Sequence, residues 1–237
     1  MKKFVQSYGI PNDNKAYIAL GITVIVEIAA ILLIHANLGL LGWMIHTLNC
    51  VRIFVQFHDM AHFSFFSDMS KNILFGKIFG VYVHFPFNAW RDGHNHHHKH
   101  FGNLDRFDAS QTILFTKKQF EAMSLPKKIL VRIFREPIVF FLFSAPYVWF
   151  VGLFYTVAKR YGVFSWTFLE KTMSVVLYTW IFPLFGIPAW KMWVSIIVAE
   201  IIGTILFHLQ HSVNTPYRQR QTNWDFAKAA VEGSTYL

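Results

Sequence analysis

The sequence predicts an all-α integral membrane protein with about four transmembrane helices plus interfacial or re-entrant helices, and three observations lead there. Of its 237 residues, 54% are hydrophobic, 18% aromatic and only 15% charged, which is too apolar for an ordinary soluble domain. Several apolar runs are long enough, at about 1.5 Å per helical residue, to cross a hydrocarbon core about 30 Å thick. The 22 basic residues outnumber the 13 acidic ones and gather in the polar segments between those runs, which suits loops facing anionic cytoplasmic headgroups. No basic soluble face results, so a nucleic-acid partner is excluded. The single Cys50 leaves no internal disulfide. A polar leader followed by a run of spanning length argues against a cleavable signal peptide. Residues 1–237 read as a single membrane domain.

The leader, Met1 to Lys15, carries Lys2, Lys3 and Lys15 and is expected on the cytosolic side, loosely ordered. A first helix should run from Ala16 to about Leu38, with Glu27 at mid-membrane and no obvious partner for it in the sequence. A second, from Gly39 to Phe57, should return the chain to the starting side, with Arg52 and Gln56 snorkelling at that end. It delivers His58 and His62, four residues apart and so on one helical face. The stretch Ile73 to Phe87 is too short and too broken by Lys77, His84 and Pro86 to span, and is expected to lie in the interface or re-enter.

Next comes Trp90 to Asn103, Trp-Arg-Asp-Gly-His-Asn-His-His-His-Lys-His-Phe-Gly-Asn. Imidazole is a preferred ligand of iron, zinc and copper. On a helix turning about 100° per residue, His94, His97 and His98 share one arc of about 100°, while His96 and His100 point the other way. Residues 91–135 carry nine Lys or Arg against four Asp or Glu and read as a cytosolic region lying along the membrane surface. Of the three apolar segments that follow, Ile138 to Ala158 is flanked by basic residues at both ends and is assigned as re-entrant or interfacial. Met173 to Ile187, kinked at Pro183, and Ala189 to Leu209 then form the third and fourth spans, with Trp190 and Trp193 in the far aromatic belt. Relative to Glu200, the side chains of Thr204, His208 and His211 lie about 40°, 80° and 20° around the axis, a stripe expected to face the bundle interior.

Parity then brings His58, His62, His94, His97, His98 and His211, with His208 as a further candidate, to one membrane face. That is too many imidazoles for one four-coordinate structural zinc and suits two metal ions. A nitrogen-rich dinuclear iron site there could activate O2 against unactivated C–H bonds, with the apolar helices aligning a hydrocarbon chain beside it. The isolated His35, His46 and His84 are expected to be buried and hydrogen-bonded.

His58 to Phe66, His-Asp-Met-Ala-His-Phe-Ser-Phe-Phe, resembles the first histidine box of the membrane fatty acid desaturases, in the HDxxH form typical of acyl-lipid desaturases acting toward the methyl end. Trp90 to Asn103 resembles the second box. Phe207 to His211, with Trp224 and Glu232-Gly233-Ser234-Thr235-Tyr236, resembles the approach to the third. The resemblance implies a di-iron enzyme that uses O2 and two electrons to leave a cis double bond in a fatty acyl lipid or acyl thioester, with His58, His62, His94, His97, His98 and His211 as iron ligands. It implies that Asp59 orients an imidazole, that Trp90 and Arg91 support the second box, and that His96 and His100 ligate nothing. A related hydroxylase or acetylenase, or an inactive metal-binding relative, fits the same boxes. The family's third box is not met: no histidine follows His211, so the site reads as C-terminally incomplete, whether as a fragment or a truncated form. Phe63 stands where a small residue is common. With no His-Pro-Gly-Gly haem segment and no cysteine set for an iron–sulfur cluster, electrons are expected from a separate carrier protein docking on the basic face. The multi-pass chain would sit in the endoplasmic reticulum or a bacterial inner membrane, N-terminus and boxes cytosolic.

Overall fold

The computed structural model describes residues 10–36, 38–106, 115–210 and 217–233; among them regular structure is helical, apart from one isolated bridge between Asn103 and Gln219. The chain forms two compact units, one of Met1–Arg91 with Trp149–Ile202 and the other of Asp92–Val148 with Gly203–Leu237.

In the first unit, α1 (Asp13–His35) starts three residues before its apolar run because Asn12 caps it, accepting from the Lys15 N–H at 3.0 Å. Asp13 ties that end to the loop after α2 (Gly39–Ala61) by accepting from the Ser67 N–H at 2.8 Å. Gly42 lets the two helices approach closely: a Cβ there would lie 2.5 Å from the Ala30 carbonyl oxygen. Gln56 is buried and donates to Thr23 Oγ1 at 2.9 Å, and the exposed Arg52 donates from Nε to the same oxygen at 3.0 Å. Glu27 has partners that the sequence did not disclose: His46 Nδ1 at 2.8 Å, Asn49 Nδ2 at 3.0 Å and the Tyr82 hydroxyl.

Helix α3 (Met69–Tyr82) is capped by Asp68 and, at about 21 Å for its 14 residues, is too short to span, as expected. A link holding buried Val83, His84 and Phe85 leads to α4 (Phe87–His100). The stretch Pro137–Tyr161 is helical but interrupted by two π turns, Phe140–Ser144 and Val148–Gly152, before α7 (Leu153–Tyr161); the intervening α5 (Lys117–Glu121) and α6 (Leu125–Ile133) belong to the second unit. The third expected span differs most. Ser165 caps α8 (Trp166–Val176) by accepting from the Phe168 N–H at 3.1 Å, and a π turn, Leu177–Ile181, precedes a short turn at Phe182–Leu184. The helix therefore starts well before Met173 and takes in Glu170 and Lys171.

Among the described residues three helices are long and apolar enough to cross a membrane, α1, α2 and α9 (Ala189–Gln210), and Pro137–Tyr161 would add a fourth if it is one span. Trp190 is 65% exposed, whereas Trp193 packs on His84 and Tyr178, with ring centroids 5.3 and 5.4 Å away, and donates to Thr179. Of the three isolated histidines, His46 and His84 are buried as expected. His35 is exposed, yet its ring nitrogens meet the Ile31 and Phe185 carbonyls at 2.8 and 2.7 Å.

In the second unit the C-terminal segment with α10 (Phe226–Glu232) lies against the end of α4. Trp224 Nε1 donates to the Phe101 carbonyl at 2.9 Å, and Gly102 and Leu104 pair with Gln219. Gly102 makes this possible: its φ is 74°, and a Cβ would lie 2.4 Å from the Tyr217 carbonyl oxygen.

Candidate metal centre

Helix α2 continues past its apolar part, so His58 lies on its last turn and His62 caps it, donating its N–H to the His58 carbonyl at 3.2 Å. The i,i+4 spacing stacks the two rings edge to face with centroids 4.6 Å apart. Asp59 Oδ1 lies 3.4 Å from His58 Nδ1, and Trp90, on the first turn of α4, sets its ring 5.7 Å from that of His58. Trp90 is held in turn by Phe57, 5.0 Å away. The Arg91 guanidinium lies 5.8 Å from the rings of both Phe63 and Phe87. Phe63 adopts φ 55°, the left-handed region that a residue with a Cβ rarely takes. Burial, with the neighbouring His58, lowers the His62 imidazole from its ordinary value and so favours the neutral form that binds metals.

Helix α4 is continuous, carrying His94 one turn and His98 two turns beyond Trp90. His94 is buried and His98 exposed, and their Nε2 atoms are 2.9 Å apart. Two nitrogens each about 2.1 Å from one ion, at about a right angle, would be about 3 Å apart. The pair therefore has the separation of two ligands on a common ion, and its all-imidazole chemistry suits iron, zinc or copper. His97, 3% exposed, turns aside: its ring lies 5.2 Å from Phe101 and 5.5 Å from Phe207, farther from those of His94 and His98 at 6.2 and 5.8 Å. His96 and His100 form a separate pair with centroids 4.6 Å apart, as the helical wheel requires.

The stripe expected on α9 divides. Glu200 is buried, but His208 is exposed and packs edge-on to Phe141 at 5.5 Å rather than facing an interior. His211 lies outside the described residues, as do Ser234, Thr235 and Tyr236. Two residues near this region escaped the sequence reading, Glu170 and Lys171, buried on α8. Charged side chains inside an otherwise apolar helix were the signal that could have found them.

Comparison with known proteins follows the same boxes. The family model described as "Fatty acid desaturase" matches residues 19–232. A Bacillus subtilis (strain 168) protein named "Fatty acid desaturase" is 30% identical over 191 residues, covering 78% of this chain and 53% of the relative. The "sn-1 oleoyl-lipid 12-desaturase" of Anabaena variabilis is 39% identical over 69 residues, 29% of this chain and 20% of the relative. The "sn-1 acyl-lipid omega-3 desaturase (ferredoxin)" of Nostoc sp. (strain 36) is 31% identical over 87 residues, 37% and 24% respectively. The chain spans about half the length of the Bacillus relative. A match running from α1 through α10, and so through both histidine pairs, means that the chain belongs to the fatty acid desaturase family.

Proposed function

We propose that this chain carries the first two histidine boxes of an O2-dependent acyl-lipid desaturase that introduces a cis double bond into a fatty acyl chain. The observation that carries the reading is the pair of helix ends, each presenting two imidazoles at i,i+4 spacing whose rings converge. His58, His62, His94, His97, His98 and His211, the ligands that the family resemblance implies, with His208 as a further candidate, would hold two irons. Bound iron would supply the O2-activating redox chemistry. The chain's own groups do the rest: Asp59 holds the orientation of the His58 ring, and Trp90, backed by Phe57 and Phe54, packs beside it. α1, α2 and α9 cross the membrane together with one further segment between α6 and α9, an even number that leaves both boxes and the end of α9 on the cytosolic side.

Electrons come from a separate carrier, a reading supported by the name of the Nostoc relative and by the exposed Lys117, Lys118 and Lys127 and the half-buried Lys128 on α5 and α6. Charge reversal at these lysines should slow electron transfer from a small acidic carrier; an unchanged rate removes this docking face. The main test is expression of the chain, and of a version extended through a third HxxHH box, in a host of known lipid composition. Iron content and fatty acids by gas chromatography are then measured. New double bonds with the extended form, lost in His98→Ala, are expected. Unchanged lipids from a well-expressed, iron-loaded extended protein overturn desaturation, and hydroxylated or acetylenic products would redirect it.

A further inference from the structure

The histidines of the second box ride on α4, and what aims α4 is its first turn. A helix start leaves N–H groups without intrahelical partners, and Pro86, the residue before Phe87, has no side-chain oxygen to cap them. The Phe87 N–H is met from another helix: Glu170 Oε2 of α8 accepts it at 2.9 Å, with Lys77 Nζ 3.7 Å from the other carboxylate oxygen. A carboxylate there also matches the positive end of the helix dipole. The adjacent residue of α8 holds the other side of the link. Lys171 is 0% exposed, and its Nζ donates to the His84 carbonyl at 2.8 Å and to the Trp149 carbonyl at 3.2 Å. His84 needs that hold, because its φ is 68°, costly for a residue with a Cβ.

Helix α3 also packs closely on the link. A Cβ at Gly76 would lie 2.2 Å from the Phe87 ring, and one at Gly80 would lie 2.4 Å from the Phe85 carbonyl oxygen. The chain from His84 to Phe87 is thus held by two glycines of α3 and by two consecutive polar side chains of α8. His94 lies seven residues, about 10 Å, along α4 from Phe87, so a tilt of about 10° at the helix start would move it by about 2 Å. Displacements of about 1 Å are enough to cost metal or reaction geometry about a hundredfold.

We propose that Glu170 and Lys171 are positioning residues that clamp the α3–α4 link and so aim the second histidine box at the metal, a role that rests on the metal centre proposed above. Four proteins, each the full chain in detergent, test it: wild type, Glu170→Leu, Glu170→Gln, which keeps an acceptor for the Phe87 N–H, and Lys171→Met. The readouts are amide hydrogen exchange over residues 84–92 and Co(II) titration followed by visible absorption. Glu170→Leu should speed exchange in that segment about tenfold and weaken Co(II) binding by about tenfold or more, with a changed absorption band. Glu170→Gln should restore both, and Lys171→Met should move both in the direction of Glu170→Leu. Local exchange and Co(II) spectra that match wild type in Glu170→Leu and Lys171→Met overturn the clamp. If Glu170→Leu does not fold, Lys171→Met against Glu170→Gln decides by the same two readouts. A wild type that takes up no Co(II) overturns the metal centre instead, and the exchange rates then decide the clamp alone.

Discussion

His46 faces a carboxylate, whereas His94 faces another imidazole. Both are buried and both lie on long helices. In the α1–α2 interior donors meet acceptors: His46, Asn49 and Tyr82 converge on the Glu27 carboxylate, and Gln56 and Arg52 on Thr23. Low dielectric strengthens such a network and makes each unpartnered member expensive. At the helix ends like meets like, His58 with His62 and His94 with His98. The His94 and His98 nitrogens share one hydrogen bond that a cation could replace, so one arrangement serves cohesion and the other would serve binding.

The contrast can be broken at either region. The largest effect is expected at the helix ends: His98→Ala, or His94→Ala, should abolish new double bonds and reduce bound iron, while leaving the melting temperature of the metal-free protein within a few degrees. A large loss of metal-free stability would show that these histidines are structural. In the interior the pattern reverses. Glu27→Leu removes the shared acceptor of three donors and should destabilise the fold by about 3 kcal/mol, measured by thermal melting in detergent, whereas Glu27→Gln should cost much less. Chelation should separate the two regions again. If metal is present at about a hundred times its dissociation constant, its removal should cost about 2.7 kcal/mol in wild type and almost nothing in His98→Ala.

A smaller effect belongs to Lys171. Burial pulls its amine down to about 7, against a weaker opposing pull from Glu200. Between about pH 7 and the ordinary lysine value the unfolded chain holds a proton that the folded chain lacks, so this residue's contribution to stability rises with pH. The slope is at most about 1.4 kcal/mol per pH unit, and it should be missing from the stability–pH curve of Lys171→Met. A buried cation that is costly at neutral pH is understandable where function, rather than stability, selects it. The smallest effect is expected at Phe63, where Phe63→Gly relieves the left-handed backbone but loses the Arg91 contact, for a net change within about 1 kcal/mol.

Much of this architecture is legible along the chain because membrane length and helical periodicity are local properties. α1, α2 and α9 follow from apolar runs about as long as a bilayer is thick. The facing of His94 and His98, and the opposite facing of His96 and His100, follow from about 100° per residue. α8 was not legible in this way, since the Ser165 cap and the buried Glu170 and Lys171 extend it beyond its apolar part. Nor was the turning of His97 toward Phe101 and Phe207, because an arc of about 100° admits three histidines and only neighbouring side chains decide among them.

The amino-acid sequence by itself determined the membrane class, the family and the two histidine pairs, because each depends on composition or on spacing within one helix. Only the tertiary structure decided that Glu27 has His46, Asn49 and Tyr82 as partners, that Trp90 backs His58, and that α8 grips the link into α4. Those contacts join residues dozens of positions apart, and a pairing at that separation is set by how helices pack rather than by any period written along the chain.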